Sequence, residues 1–352
     1  MKFASWLRSW EFMLAIVLAV ELIVLGIINP AFLNIENLLF STSDFVHVII
    51  AAIGLTLIIM TGGMDISGVS VMGMASIVCG LSYVAGAPIE LAVAIALVVG
   101  FAAGSFNGTV VANTDVNPLV ITLAMMFLYA GIATGLPTLL DMMGFASMGP
   151  GGFEAYQYEG ISGLPKHFTW IGTGGIGWIP NPLIITIVLA AAASWLMLGT
   201  RFGRYLKLIG VSADVARYTG VPVKRTLIAV YAINGFGAAV AGLVLTAYFT
   251  SARSDLGADA LLNIITAVVL GGSSIYGGQG SVLGTFLAGL ALGYLRQGLL
   301  ALGITSDVVP VIVGSVLIGT VALKIGMSVL NTKRANRAAY AAERMAVSGN
   351  GG

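Results

Sequence analysis

Ile89-Glu-Leu-Ala-Val-Ala-Ile-Ala-Leu-Val-Val-Gly100-Phe-Ala-Ala-Gly104-Ser-Phe-Asn-Gly108-Thr-Val-Val111 carries a single charged side chain, Glu90, at its very start. A helix rises about 1.5 Å per residue, so a run of this length covers the roughly 30 Å hydrocarbon core of a bilayer. Comparable apolar cores recur outward from it at 12–28, 46–60, 69–84, 119–134, 183–198, 227–250, 261–270, 282–300 and 308–323. Mean hydropathy is +1.00 and charged residues make up 9% of the chain. A soluble globule, at about 25% charged residues, needs far more polar surface. The expectation is an all-α polytopic membrane protein of about ten transmembrane helices. A short N-terminus (1–11), a transmembrane domain (12–323) and a C-terminal tail (324–352) complete it.

Lys and Arg concentrate on cytoplasmic flanks. The segment 201–225 holds Arg201, Arg204, Lys207, Arg217, Lys224 and Arg225 against the single acid Asp214. Lys2 and Arg8 precede the first span, and Lys333, Arg334, Arg337 and Arg344 follow the last. Six spans and then four put all three basic segments on one side, with both termini cytoplasmic. The first run is long for a signal sequence and lacks a small-residue cleavage site, so it reads as an uncleaved span. The connection 135–182, with Asp141, Glu154 and Glu159 against Lys166, is then external. Its Gly, Pro and aromatic content suggests little regular structure. The core 261–270 is too short to cross unless its helix begins near Asp255 and runs to about Ile275.

A net charge near +1 gives no reason to expect a nucleic-acid partner. The lone Cys79 cannot form an internal disulfide. There is no GxxxxGK[ST] loop to cradle nucleotide phosphates. The match to GxGxxG at Gly172, Gly174 and Gly177 lies in the external loop without the strand and helix that would give it meaning. His47 and His167 have no partners at ligand spacing, so no metal site is expected. Nothing resembles a catalytic constellation, so a membrane-embedded enzyme or scaffold lacks support.

A charge at the centre of a span costs about 2.5–3.5 kcal/mol on insertion scales. Glu21, mid-span, reads as a group bonded to a neighbouring helix or partner subunit, with ion coupling the lesser reading. Asp65 reads first as a cap for a helix starting at Ile66 and second as a lining of the solute path. Arg296 and Lys324 lie near span ends, where they snorkel to headgroups. So few buried acids and bases argue against an ion-coupled secondary transporter. Gly100, Gly104 and Gly108 form one small-residue ridge and Gly289 with Gly293 another, both expected at close helix contacts. In the basic loop, Ser212 suits an N-cap, Gly220 a C′ position and Pro222 a stop. A short capped helix among six bases is a docking surface for anionic lipid or for a partner protein.

Four ordered motifs add a family. They are Gly62-Gly63-Met64-Asp65-Ile66-Ser67, Val116-Asn117-Pro118-Leu119-Val120-Ile121-Thr122-Leu123, Gly203-Arg204 through Gly220-Val221-Pro222-Val223, and Ala267 through Gly271-Gly272-Ser273-Ser274-Ile275-Tyr276-Gly277-Gly278-Gln279-Gly280-Ser281. In a single register from about Ile28 to Leu323, the chain resembles the ribose-type permeases of bacterial ABC importers, within the branched-chain amino acid/sugar permease superfamily. Asn37 to Phe45, Tyr158 to Ile161 and Ser251 to Ala258 turn the likeness toward the autoinducer-2 branch, with ribose and rhamnose permeases on the same scaffold. One departure is that Ser67 is followed by Gly68-Val69 where the family has Val-Gly, so the helix start is expected to be rotated or kinked.

The resemblance implies a type II importer-like half-channel in the inner membrane. It implies pairing with a second permease subunit, two ATP-binding subunits that carry ATP and Mg, and a periplasmic substrate-binding protein, with no cofactor on this chain. It makes the loop 200–226 a coupling loop, with Gly203, Arg204, Ser212, Asp214, Ala216, Arg217 and Gly220 as its match. Asp65, Ser67, Asn117, Thr122 and Asn263 become candidates for the translocation path. Hydroxyls and amides, Ser43 among them, suffice for a neutral polyhydroxylated solute.

Overall fold

The computed structural model describes residues 10–30, 34–145, 152–153, 156, 160–312, 314–316, 318–319 and 322. In chain order the helices begin with α1 (Trp10–Ile28), α2 (Ile35–Phe40), α3 (Val46–Ile59), α4 (Gly68–Val84), α5 (Ile89–Asn113) and α6 (Pro118–Leu140). After them come α7 (Lys166–Thr173), a two-stranded hairpin of β1 (Gly175–Ile176) and β2 (Ile179–Pro180), and α8 (Asn181–Gly199). Then follow α9 (Arg201–Val211), α10 (Ala213–Tyr218), α11 (Val223–Phe249), α12 (Leu261–Leu270) and α13 (Val282–Ala301). Lys2, Arg8, Glu154, Tyr158, Glu159, Lys324 and the basic tail lie outside the described residues, as do five residues of the tenth expected span.

Among the described residues six helices are long and apolar enough to cross a membrane, or seven if the pair Ile35–Asp44 and Val46–Ile59, bent by 61°, counts as one. Three expected spans are shorter than a bilayer. α3 has 14 residues, α4 has 17 and α12 has 10. The reason lies in their surroundings. Every residue of α3 except His47 is buried, and a helix wrapped in protein does not need to match the hydrocarbon thickness. The extension of α12 from Asp255 to Ile275 is not formed. Its chain arrives through a short 3₁₀ turn at Ala258–Ala260 and leaves at Gly271. The preceding segment plunges into the bundle, where the carbonyl of Ser254 fills the space a side chain on Gly73 would take.

α11, 27 residues long, is the central post and packs against α5, α3 and α4. A Cβ on Gly100 would meet Ala239 Cβ at 2.4 Å and one on Gly104 would meet the carbonyl oxygen of Tyr231 at 2.2 Å. A Cβ on Gly108 would meet Ile228 Cα at 2.7 Å, and Gly235 returns the contact against Gly100 and Gly104. On α13 the second ridge receives α3 and the residue before it: Gly289 lies under Ile49 and Gly293 under Phe45. α1 leans on α13 through Leu25 and Gly298 and is pinned at its other end by Trp10 Nε1, which donates to the Leu270 carbonyl at 2.6 Å.

The connection 135–182 is more regular, among its described residues, than its composition suggests. α6 continues to Leu140 and a wide turn to Phe145, and α7 and the hairpin occupy much of the rest. Pro165 initiates α7, and Asn181 Nδ2 bonds the Trp170 carbonyl at 2.8 Å, closing the hairpin onto the helix. The GxGxxG residues straddle the end of α7 and the hairpin. In the basic loop the last residues of 200–226 already belong to α11, because Pro222 starts that helix below its apolar stretch.

Gly104→Leu is expected to abolish recovery of monodisperse protein, since backbone rather than a flexible side chain blocks the added carbons. Gly131→Ala, with nothing within 4 Å, should express normally. Equal size-exclusion profiles for the two variants would refute the ridge as a packing seam.

Candidate functional site

Two places combine polar chemistry with defined geometry. The first lies at the break between α3 and α4. The chain turns at Thr61–Gly62, where Gly62 adopts φ +80°, and enters α4 only at Gly68. Asp65 therefore does not cap a helix at Ile66. Its Oδ1 accepts from the Ser67 amide at 2.9 Å and from Ser67 Oγ at 2.6 Å, closing a local turn just before the helix.

From there the network reaches across the bundle. Asn107 Nδ2 of α5 donates to Ser67 Oγ at 2.7 Å, and Tyr129 of α6 donates to Asn107 Oδ1 at 2.7 Å. From the opposite side Asn234 Nδ2 of α11 donates to Asp65 Oδ2 at 3.0 Å. The Tyr231 hydroxyl donates to the Met64 carbonyl at 3.1 Å. Asp65, Ser67, Asn107, Tyr129 and Asn234 are all buried. The donors run toward Asp65 from both sides, and this carboxylate is the terminal acceptor of the chain. Such a network is stable in a low-dielectric interior only when every member has a partner. Beside it lies a cavity of about 10 Å³ bordered by Asp65, Asn234, Leu55, Gly68, Leu261 and Ile264. That is about the room of one water molecule.

Of the expected path residues the structure gathers three here. Asp65 and Ser67 form the core of the network, and the Thr122 hydroxyl lies at 3.4 Å from both the Ile66 amide and the Met64 carbonyl oxygen. Asn117 lies exposed at the start of α6, where its side chain caps the helix by accepting from the Leu119 amide at 2.9 Å. Asn263 is half-buried on α12 and does not border the cavity. Asn107, Tyr129, Tyr231 and Asn234 escaped the sequence reading. A signal was present, since Asn107-Gly108 and Asn234-Gly235 place the same amide-glycine pair inside two apolar spans. Glu21 is half-buried, and its Oε1 has no hydrogen-bond partner among the described residues.

The second place is the basic loop. Thr200 caps α9, whose buried face is Gly203, Leu206 and Ile209. Gly203 sits directly on the Met197 carbonyl, where any side chain would collide. Ser212 caps α10 by accepting from the Val215 amide at 3.3 Å. At the other end Gly220, at φ +82°, donates to the Arg217 carbonyl and Val221 to the Ala216 carbonyl. These are the paired bonds of a Schellman ending, with Ala216 and Val221 in the accompanying apolar contact. Arg204, Asp214 and Arg217 stand exposed around this frame.

The two places touch. A second glycine-rich turn, at 271–281, lies between them. The Gly278 amide donates to the Met60 carbonyl at 2.9 Å, and Gly210, next to last in α9, is in backbone contact with Met60 and Gly278.

Residues 37–321 match the family of the branched-chain amino acid transport system permease component. The chain belongs to that family of membrane permeases. Within the family it is 45% identical over 325 residues, 92% of this chain and 93% of the relative, to the autoinducer 2 import system permease protein LsrD of Salmonella paratyphi A. It is 44% identical over 322 residues, 91% and 92% of the two chains, to LsrD of Escherichia coli. No solved structure matches.

Asn234→Leu keeps the branched shape and heavy-atom count of the side chain and removes the donor to Asp65. Leaving a buried acceptor unpaired costs about 1–3 kcal/mol, so the midpoint of thermal unfolding in detergent should fall clearly below that of the wild type. A midpoint unchanged within error would show that the network does not hold the break in place.

Proposed function

We propose that this chain is the transmembrane permease subunit of an ATP-driven ABC importer and that it carries autoinducer-2, a small neutral polyhydroxylated signal, across the bacterial inner membrane. The carrying observation is identity of 44–45% to LsrD over more than nine-tenths of both chains, well beyond what a shared fold requires. The composition agrees. A neutral solute needs hydroxyls and amides along its way rather than fixed charge, and the buried network around Asp65 is mostly of that kind.

In this reading the chain crosses the membrane ten times with both termini cytoplasmic, and α9 and α10 form the coupling loop. It pairs with a related LsrC-type permease, two ATPase subunits that bind ATP and Mg, and a periplasmic binding protein that captures the solute. Gly203, Ser212, Ala216 and Gly220 build the frame of the loop, and Arg204, Asp214 and Arg217 face the ATPase. The network of Asp65, Ser67 and Thr122 lies on the translocation path, closed in this conformation because its cavity admits only water. α5 and α13 slide on their glycine ridges as the halves exchange outward and inward access.

Uptake of labelled autoinducer-2, with ribose and rhamnose in parallel, is the deciding measurement in cells lacking only this gene and in complemented cells. Selective loss and rescue of autoinducer-2 uptake is expected. Intact autoinducer-2 uptake with loss of a sugar would move the protein to the sugar branch, and uptake that follows an ion gradient while ATP is absent would overturn the importer. Deleting 212–220, or replacing Asp214 with Arg, is expected to abolish copurification of the ATPase while membrane insertion persists. Glu21→Gln should leave ATP-driven uptake largely intact, and its complete loss would assign that carboxylate a role in ion coupling.

A further inference from the structure

Tyr276 is 92% exposed and Ile275 48% exposed, at the tip of the turn 271–281. The same end of the bundle carries Val211 at 78%, Val215 at 59% and Tyr218 at 92% exposed, on or beside α10. A nearly naked tyrosine ring is a costly thing to present to water, and here two stand with three aliphatic side chains among the exposed bases Arg204, Lys207 and Arg217. The patch is continuous, because Val211 Cγ2 lies 3.1 Å from where a Cβ on Gly278 would stand.

Lipid does not explain Tyr276. Aromatic belts sit on the rim of a membrane protein, whereas this turn is bonded to the end of α3, the helix buried on all sides. The Gly278 amide bonds Met60, and a Cβ on Gly277 would stand 2.9 Å from the Gly62 amide. The turn is also rigid. Gly277 and Gly278 both take positive φ, and bonds from the Gly277 amide to Ser274 and from the Ser274 amide to Gln279 close it at 2.9 and 3.0 Å. A preorganised aromatic in an apolar patch set among exposed bases is what a protein interface uses as an anchor.

We infer that the turn 271–281 is a second docking element for the ATPase subunit, with Tyr276 as its anchor beside α10. The inference rests on the importer reading above and adds to it a contact outside the coupling loop. The matching ATPase surface is an apolar cleft rimmed by acidic side chains. An ATPase seated on both elements grips the two helix breaks together, since the turn is bonded through Gly278 to the segment that carries Asp65.

The test uses the complete importer, coexpressed and purified through a tag on this chain, with the ATPase recognised as the subunit that 8-azido-ATP photolabels. p-Benzoylphenylalanine in place of Tyr276 is expected to crosslink to that subunit on irradiation, and the same probe in place of Trp178, at the opposite end, is not. Tyr276→Asp should leave permease yield unchanged, because the ring is exposed, and reduce recovered ATPase on the order of tenfold. Crosslinks to phospholipid alone, or ATPase recovery from Tyr276→Asp equal to wild type while the 212–220 deletion loses it, would overturn the inference and leave the importer reading standing. Wild-type permease that retains no ATPase would bring down both.

Discussion

The backbone contact between α5 and α11 is the constraint from which the interior follows. Gly100 and Gly104 meet Gly235 with no side chain between them, so the two helix axes come closer than ordinary residues allow. Each helix carries an asparagine one position before a glycine of this seam. Once the glycines are seated, Asn107 is brought within hydrogen-bond reach of Ser67 and Asn234 within reach of Asp65 from the opposite side. Van der Waals packing at small residues, the main source of helix association in lipid, thus also assembles the polar centre.

That centre in turn permits the irregular backbone. The segments at 60–67 and 271–281 leave peptide groups without helical partners, and those that are buried must find protein partners in place of water. The Met60 carbonyl finds Gly278, the Met64 carbonyl finds Tyr231, and the Ser67 amide finds Asp65. Short helices flanked by satisfied breaks thus stand inside the bundle where unbroken spans would have no such turns. α9 ends against both breaks, so the basic loop and the buried network share one backbone junction.

Much of this was legible in the chain. The long spans declare themselves because lipid-facing helices must be apolar over their whole length, and the ridge at Gly100, Gly104 and Gly108 has a spacing that admits little other use. Ser212 and Gly220 mark the ends of α10 through local chemistry that needs no tertiary context. What stayed hidden depends on distance in sequence. Asp65 suggests a helix cap when read locally, and only the folded bundle brings Asn234 to its second oxygen. The shortness of the core 261–270 is visible in the chain, but that its helix stops there rather than extending to Asp255 and Ile275 depends on the turns packed at both ends. The glycine pairs at 62–63 and 271–272 lie far apart in the chain, yet the turns that hold them meet in space.

α12 also bears on how the protein is made. Ten residues rise only about 15 Å, half the thickness of the hydrocarbon core, so this segment has little reason to leave the translocation channel for lipid alone. Its main partner among the earlier helices, α3, is already synthesised when it emerges, and α13 follows to cover its other side. Membrane integration of this region is therefore a packing event between protein segments rather than a partition into lipid, and its order of assembly is written in the order of the chain.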